Sequence, residues 1–344
     1  MILFGARGPT AVELGKKLFS SVDNDVALNV TTSTILHYKN LLLRLNRGNG
    51  TKISNHIFVD RSFSLDPDFT LSSREFFLAN IDPVDFTGKK ENPIRIVNQR
   101  VREGTEDDIK SIIDFVSPNT KLLLVNLLNF KKEWKTKFDV RRTKMRPFVT
   151  EVGKTVMTES MYLMSNLDIG ASEALNCTAV KIPFRGGRLY LTILLPREGT
   201  SVRQLIQNLK TKELQELLQN EMTRTKVKVI LPKFQMEWSD SLVPAMREAG
   251  INRIFDAQSA NFTGISPQSM GLFVGDLLQK VTVTVDESGA QAAAATAAIF
   301  KQRSLDFSED FIVNRPFLFL IGSFNNKKLT DILFMGKFAA PRQV

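Results

Sequence analysis

Side chains that could perform catalysis or bind a metal ion are scarce in this chain. The 344 residues include two histidines, His37 and His56, and one cysteine, Cys177. A Ser-His-Asp triad would have to use one of these histidines. Neither lies in a nucleophile-elbow, zinc-protease, P-loop or dinucleotide-binding motif. A single cysteine also excludes an internal disulfide and a multi-cysteine metal site. The sequence therefore predicts a protein that is not an enzyme and has no metal or cofactor.

The most unusual stretch is Val281–Ser304, which reads VTVTVDESGAQAAAATAAIFKQRS. Its first five residues alternate between apolar and polar, which predicts a half-buried strand. A charged break follows, and Ala290–Ala298 then contains seven alanines and no charge, proline or large side chain. Alanine favours a helix by intrinsic propensity, but this run has no amphipathic face. A loop that can also become a strand is the alternative interpretation.

The elements around this stretch follow from apolar periodicity. A chain of 344 residues that is 43% hydrophobic can bury a large core. Alternating or continuous apolar runs predict strands that include residues 55–63, 79–86, 122–128 and 227–236. Apolar residues at helical spacing predict helices that include residues 34–45, 65–77, 93–113, 202–220 and 242–250.

Several segments together resemble the serpin family. They are LFGARGPTAVEL at 3–14, TKLLLVNLLNFKKEWKTKFD at 120–139, IFDAQSANFTGIS at 254–266 and the hinge-like ESGAQAAAATAA at 287–298. The resemblance covers essentially the whole chain. It implies a single α+β domain over residues 1–344, with a large mixed main sheet, further β-sheets, about eight helices and an exposed reactive-centre loop at 287–310. The family's first helix, one strand and most of its second helix have no counterpart before Met1, which suggests N-terminal truncation.

The resemblance also implies a function, the inhibition of trypsin-like serine proteases. Counting along the family's hinge spacing, the scissile bond follows the residue sixteen positions beyond Glu287, which gives Arg303–Ser304. An arginine at this position suits a protease pocket with a carboxylate at its base. The hinge positions are Glu287, Gly289, Ala290, Ala292, Ala293, Ala294, Ala295 and Thr296. The alternative is a non-inhibitory serpin-fold protein that acts as a carrier or binding protein.

Insertion of the loop into the main sheet requires small, uncharged side chains on the face that points under the sheet. The positions expected on that face are Ala290, Ala292, Ala294, Thr296 and Ala298. Asn126 interrupts the apolar run at 122–128, and a buried asparagine in a central strand needs hydrogen-bonding partners. A bulge or a sheet edge would explain it. The resemblance instead assigns Asn126 to the control of sheet opening together with Gln279, which stands where many serpins have histidine. Arg100 replaces the family's usual tryptophan, so the packing of its helix on the sheet is expected to differ.

The formal net charge of +10 favours an anionic partner. Residues 131–146 are rich in lysine and arginine, which is typical of a solvated surface. The alternative is a site for a heparin-like glycosaminoglycan, and nucleic acid is not expected. The candidate polyanion-binding residues are Lys131, Lys132, Lys135, Lys137, Arg141 and Arg142.

Four N-x-[ST] sequons provide candidate glycosylation sites at Asn29, Asn49, Asn176 and Asn261. Together with the arginine bait, they suggest an extracellular, monomeric protein, with the cytoplasm as the alternative location. The N-terminus lacks the pattern of a signal peptide. No apolar run is long enough to predict a membrane span.

Overall fold

The computed structural model describes residues 1–18, 32–46, 51–287 and 308–341. The α-helices in these ranges are α1 (Ile2–Gly5), α2 (Gly8–Leu18), α3 (Thr32–Asn46), α4 (Pro67–Phe77), α5 (Pro93–Thr105), α6 (Val202–Asn208), α7 (Thr211–Gln219) and α8 (Val243–Glu248). Two 3₁₀ turns cover Val140–Arg142 and Arg253–Phe255. The strands are β1 (Thr51–Asp60), β2 (Ala79–Val84), β3 (Leu122–Phe130), β4 (Lys144–Val149), β5 (Thr155–Ser172), β6 (Cys177–Pro183), β7 (Leu189–Pro196), β8 (Met222–Pro232), β9 (Phe234–Ser241), β10 (Val274–Val285), β11 (Glu309–Ile312), β12 (Phe317–Asn325) and β13 (Lys328–Phe338).

The main sheet has five strands in the order β2-β1-β3-β10-β9. It is mixed, because β1 is parallel to β2 and antiparallel to β3, while β3 is parallel to β10. One face packs against α2 and α4 through Ile57 and Leu124, and the other packs against α5 through Phe58 and Val125. Burial on both faces explains why the sequence of β3 is an almost continuous apolar run.

The second sheet has eight strands. Seven follow the order β11-β8-β5-β6-β7-β12-β13, and β4 pairs with the first part of β5. Helices α6 and α7 cover it with an apolar cluster that includes Leu205, Leu214 and Leu320. The mixed main sheet, the further sheet and the eight helices of the described residues agree with the expected α+β architecture.

Helix α5 is shorter than the periodicity of residues 93–113 predicts. It ends at Thr105, because the next residue, Glu106, has a left-handed backbone with φ of 50°. Beyond it, the Asn98 side chain accepts hydrogen bonds from the backbone N–H groups of Ile112 and Ile113 and donates to the carbonyl of Ile113. The apolar residues that extend the helical pattern therefore pack as an irregular segment folded back onto α5.

The single amphipathic helix predicted for residues 202–220 is also wrong. The structure has two helices, separated at Leu209 and Lys210, both of which have extended backbones. Leu205 and Leu214 are nine residues apart, so a straight helix at about 100° per residue would place them on opposite faces. The break allows both side chains to reach the same core.

Contacts between residues divide the chain into two compact units. The first contains Met1–Phe130 and Met236–Val283, and the second contains Lys131–Gln235 and Thr284–Val344. Each unit is thus assembled from two stretches of chain. The expectation of one domain over residues 1–344 stays a prediction.

Candidate functional site

The chain that leaves β10 toward the expected loop is held by three contacts. The indole N–H of Trp134 donates to the carbonyl of Asp286 over 2.7 Å. The Lys131 ammonium lies 3.1 Å from the carboxylate of Asp286. The backbone N–H of Phe138 donates to the carbonyl of Glu287 over 3.1 Å. Asp286 is therefore fixed at both backbone and side chain, and the backbone of Glu287, the first hinge position, is fixed as well.

The side chain of Glu287 is also fixed. The residue is only 8% exposed. Its carboxylate accepts a hydrogen bond from the Thr143 hydroxyl at 2.9 Å and lies 3.2 Å from the Lys233 ammonium. Burial alone would raise the pKa of Glu287. Hydrogen bonds from its own backbone N–H and from Thr143, together with Lys233, outweigh burial and hold that pKa below its usual value. Glu287 is therefore a charged anchor at neutral pH.

Trp134 can hold the hinge because its own position is rigid. The residue is 2% exposed and forms an isolated antiparallel bridge with Phe184. The two rings stack at 4.5 Å between centroids, and Phe138 packs edge-on against the indole at 5.5 Å. Aromatic pairs of this geometry add about 0.5–1.5 kcal/mol beyond the burial of area. The anchor is thus built from a packed aromatic cluster, in which Trp134 and Phe138 follow β3 and Phe184 follows β6.

Asn126 and Gln279 meet in the main sheet. The Gln279 amide donates to the Asn126 carbonyl oxygen at 2.8 Å, and Asn126 donates in turn to Asn55 at 2.7 Å. Asn55 donates to the backbone carbonyl of Phe77 at 2.8 Å. The three amides are aligned register partners on β1, β3 and β10. The sequence interpretation missed Asn55, because its strand mixes polar and apolar residues and the asparagine does not stand out there.

The seam between β3 and β10 is closed along its length by parallel pairing from Leu122 and Val274 to Phe130 and Val283. Chain that turns back after Glu287 would run antiparallel to β10 and so also to β3. A strand inserted there would replace one parallel pairing with two antiparallel pairings, which are slightly more stable per residue. The geometry therefore suits the acceptance of one extra strand.

The proposed scissile bond Arg303–Ser304 lies outside the described residues. The same holds for seven of the eight hinge positions, namely Gly289, Ala290, Ala292, Ala293, Ala294, Ala295 and Thr296. Of the hinge set, the structure describes only Glu287.

The candidate polyanion-binding residues have dissimilar surroundings. Lys131 is paired with Asp286 as described above, and Arg141 is paired with Asp139 at 3.1 Å. The Arg142 guanidinium lies 3.3 Å from the centre of the Tyr162 ring. Three of the six cations are therefore already engaged within the protein.

The other three candidate polyanion-binding residues are lysines that differ in their exposure to solvent. Lys132 is half-buried, and this burial lowers the pKa of its ammonium. Lys135 and Lys137 are exposed and line a groove of about 570 Å³ together with Arg185, which the sequence interpretation did not include. Binding of a polyanion at these residues stays a prediction.

Two of the four sequons lie in the described residues. Asn176 has a left-handed backbone with φ of 47°, and its side-chain amide donates to the Thr200 hydroxyl. The Asn261 side chain accepts a hydrogen bond from the backbone N–H of Thr263 at 3.2 Å and another from its hydroxyl at 2.9 Å. Both side chains are thus occupied locally. Asn29 and Asn49 lie outside the described residues.

Of the side chains considered first for chemistry, His37 is exposed, and His56 and Cys177 are buried. Ser54 and His56 form a hydrogen bond of 2.8 Å, but both are less than 7% exposed. Cys177 is fully buried, and burial raises the pKa of its thiol to about 12, which makes it unreactive. Within the described ranges, no three His, Cys, Asp or Glu side chains are placed to hold a metal ion. No described helix is long and apolar enough to cross a membrane.

Comparison with known proteins gives a consistent result. Residues 1–341 match the family model described as "Serpin (serine protease inhibitor)". The chain is 31% identical to the leukocyte elastase inhibitor of Bos taurus, over 99% of this chain and 89% of that protein. It is 30% identical to Serpin B8 of Homo sapiens, with the same coverage of both chains. The structure resembles uncleaved ovalbumin with a TM-score of 0.84 at 22% identity, over 99% of this chain and 89% of the other.

Proposed function

The chain belongs to the serpin family of serine protease inhibitors, and from this premise we propose that it inhibits trypsin-like serine proteases. The proposed bait is the bond Arg303–Ser304. The arginine side chain would enter a specificity pocket that carries a carboxylate at its base. The bovine relative is named for the inhibition of an elastase. Arg303 is the reason that we propose a trypsin-like protease, and not an elastase, as the target.

The proposed mechanism is that of a suicide substrate. The protease serine attacks the carbonyl carbon of Arg303, an acyl-enzyme forms, and the amine of Ser304 leaves. The freed hinge segment then enters the main sheet before water can hydrolyse the acyl bond. Loop insertion of this kind releases strain stored in the uncleaved protein. The acylated protease is carried along with the loop, and its active site is distorted.

The observation that supports this mechanism most directly is the closed parallel seam between β3 and β10, with Glu287 anchored beyond its end. This arrangement is what the uninserted state requires. About ten new backbone hydrogen bonds at ~1 kcal/mol each would contribute on the order of 10 kcal/mol on insertion. That is comparable to the whole stability of a typical domain, and it supports a metastable uncleaved form.

The test is to incubate the protein with trypsin and to separate the products in SDS. We expect a covalent complex that survives denaturation. Replacing Arg303→Ala removes the bait and should abolish the complex. The matched control is Lys301→Ala, which removes a neighbouring cation from the same segment and should leave the complex intact.

Two results would contradict the proposal. Cleavage after Arg303 without any covalent complex would indicate a non-inhibitory serpin-fold protein. A covalent complex with trypsin that persists in the Arg303→Ala variant would place the bait at another residue.

A further inference from the structure

A polar pocket of about 330 Å³ lies where α5 packs on the main sheet. Its lining residues are His56, Arg74, Asn80, Ile81, Asp82, Arg100, Glu103 and Gly104. Arg100 occupies the position at which the resemblance to serpins predicts tryptophan. The arginine points its guanidinium at the carboxylates of Asp82 and Glu103, at 3.0 and 2.8 Å. A polar pocket therefore exists at a contact where a large apolar ring was expected.

His56 lies at the base of this pocket and is 1% exposed. One ring nitrogen, Nε2, is hydrogen-bonded to the Ser54 hydroxyl at 2.8 Å. The other, Nδ1, is buried and has no hydrogen-bond partner in the part of the chain that the structure describes. Helix α5 covers the ring closely. A methyl group added at Gly104 would lie 2.7 Å from Nε2 and 2.3 Å from the Ser54 oxygen.

The charged groups that face His56 come from three elements. Asp82 belongs to β2, Arg100 and Glu103 belong to α5, and Arg74 belongs to α4. Burial lowers the pKa of His56. Asp82 and Glu103 offset part of this effect, and Arg100 adds to it.

The residues paired directly with His56 in the sheet carry no charge. Its register partners are Asn80 on β2 and Val125 on β3. The Phe58 ring stacks nearby at 5.8 Å between centroids.

We propose that His56 is an acid-sensitive lock, whose neutral ring holds α5 on the main sheet and whose protonation releases the helix. A protonated ring needs an acceptor or water at Nδ1. The carboxylates of Asp82 and Glu103 are already paired with Arg100, and Gly104 covers the ring at Nε2 and Cε1. The Nδ1 atom is itself closed to solvent, so water from the pocket can solvate the charge only after the packing of α5 on β1 loosens.

The direction of the pH dependence follows from linkage. The folded protein binds the proton less readily than the unfolded chain, in which the histidine has its ordinary value of 6.5. The lock is therefore fully effective above pH 6.5. Below pH 6.5, the equilibrium constant for the packing of α5 on the main sheet falls by up to about tenfold per pH unit, until His56 is protonated in the folded protein as well.

One consequence rests on the proposed function. The sheet must widen between β3 and β10 to accept the loop, and α5 covers the face that contains β3. Release of α5 by acid would remove that cover, so an inhibitory protein would lose activity faster at pH 5 than at pH 7.

The first test is an NMR titration of His56 in the full chain. The chain has only two histidines, so the variant His37→Gln leaves a single imidazole signal to follow. We expect the imidazole of His56 to titrate with a midpoint below pH 6.5. A midpoint at or above pH 6.5 would exclude the lock.

The second test is hydrogen exchange of the α5 amides between pH 5 and pH 7, corrected for the intrinsic exchange rate. Protection should fall toward acid in the unmodified chain and in the control His37→Gln, and should stay constant in His56→Gln. Equal pH dependence in all three proteins would overturn the proposal.

Two further variants keep the proposal testable if His56→Gln fails to fold. Glu103→Gln removes a carboxylate that favours the protonated ring and should move the exchange midpoint to lower pH. Arg100→Gln removes a cation and should move it to higher pH. A midpoint that neither variant moves would contradict the lock. None of these measurements uses a protease, so they succeed or fail independently of the proposed inhibition.

Discussion

At the scale of single residues, Glu287 is the strongest electrostatic anchor of the hinge. Its carboxylate is buried and satisfied by Thr143 and Lys233. Replacing Glu287→Gln should reduce the free energy of unfolding at pH 7 by about 1–3 kcal/mol, because a charge-assisted hydrogen bond and the ion pair are lost together. Urea unfolding measures this difference.

The same substitution has a defined pH dependence. The pKa of Glu287 is lowered in the folded protein from 4.5. Its contribution to stability is therefore present above pH 4.5 and is lost as the pH falls through the folded value. The difference between Glu287→Gln and the unmodified chain should disappear in acid. Glu159→Gln is the matched control, since Glu159 is 60% exposed and 4.0 Å from the same lysine; it should change little at any pH.

The hydrogen-bonded side-chain amides of Asn55, Asn126 and Gln279 give a second prediction at the scale of residues. Replacing Asn126→Ala leaves Gln279 and Asn55 without their shared partner, which should cost about 1–3 kcal/mol of unfolding free energy. Asn129→Ala is the control on the same strand, because Asn129 donates a hydrogen bond of 2.9 Å to the exposed Asp108. An equal loss of stability in both variants would argue against a special role of Asn126.

These residues mark the limit of the sequence interpretation. Asn126 attracted attention because it interrupts an apolar run, and its need for partners followed from physical chemistry. Asn55 lies in a strand whose pattern mixes polar and apolar residues, so its side chain gave no such contrast. Thr143 and Lys233 are distant from Glu287 in sequence, and only the folded chain brings all three together.

At the scale of elements, a prediction for the alanine-rich hinge depends on the alternation of side chains between the two faces of a strand. Residues at every second position share one face of a strand. Replacing Ala294→Glu would place a charge under the sheet without creating a new trypsin site, and it should block insertion, since burying an unpaired charge is costly. Trypsin should then cleave the protein without forming the SDS-stable complex.

The control for the hinge is the adjacent residue. Ala293→Glu adds the same side chain on the opposite, outward face, so the covalent complex should still form. Loss of the complex in both variants would contradict the expected alternation of faces.

Helices and strands were predictable where the apolar pattern ends together with the element. They were not predictable where the pattern continues past the end of the helix. The apolar run of β3 and the position of α4 agree with the sequence to within a few residues. Residues 93–113 have a helical pattern throughout, yet left-handed Glu106 ends α5, and Asn98 binds the segment that follows. The apolar residues in both parts face the same core, and periodicity alone does not separate a helix from a segment folded back onto it.

At the scale of the whole molecule, the main prediction concerns the melting temperature after cleavage. If the cleaved loop adds a strand worth on the order of 10 kcal/mol, the melting temperature should rise by about 14 °C, given about 2.1 cal/mol/K of unfolding entropy per residue over 344 residues. Calorimetry before and after limited proteolysis measures this rise. The Ala294→Glu variant, cleaved in the same way, should show no comparable rise.

The whole architecture was accessible from the sequence mainly through resemblance. Composition and periodicity indicated a large mixed fold without catalytic residues, but they did not specify strand order. Parallel pairing of β3 with β10 joins segments separated by well over one hundred residues, and no local pattern encodes such a register. The resemblance to serpins supplied the fold class and the expected meeting of Asn126 with Gln279, and the family match over residues 1–341 agrees with that fold class.

The hydrogen bond from the Trp134 indole to the carbonyl before Glu287 gives the protein an intrinsic optical reporter. The chain has one other tryptophan, Trp238, which is 45% exposed and can be replaced by phenylalanine. The remaining fluorescence would then originate from a ring that is 2% exposed and bonded to the hinge. Its emission wavelength and lifetime would follow the departure of the hinge in real time, without an attached dye.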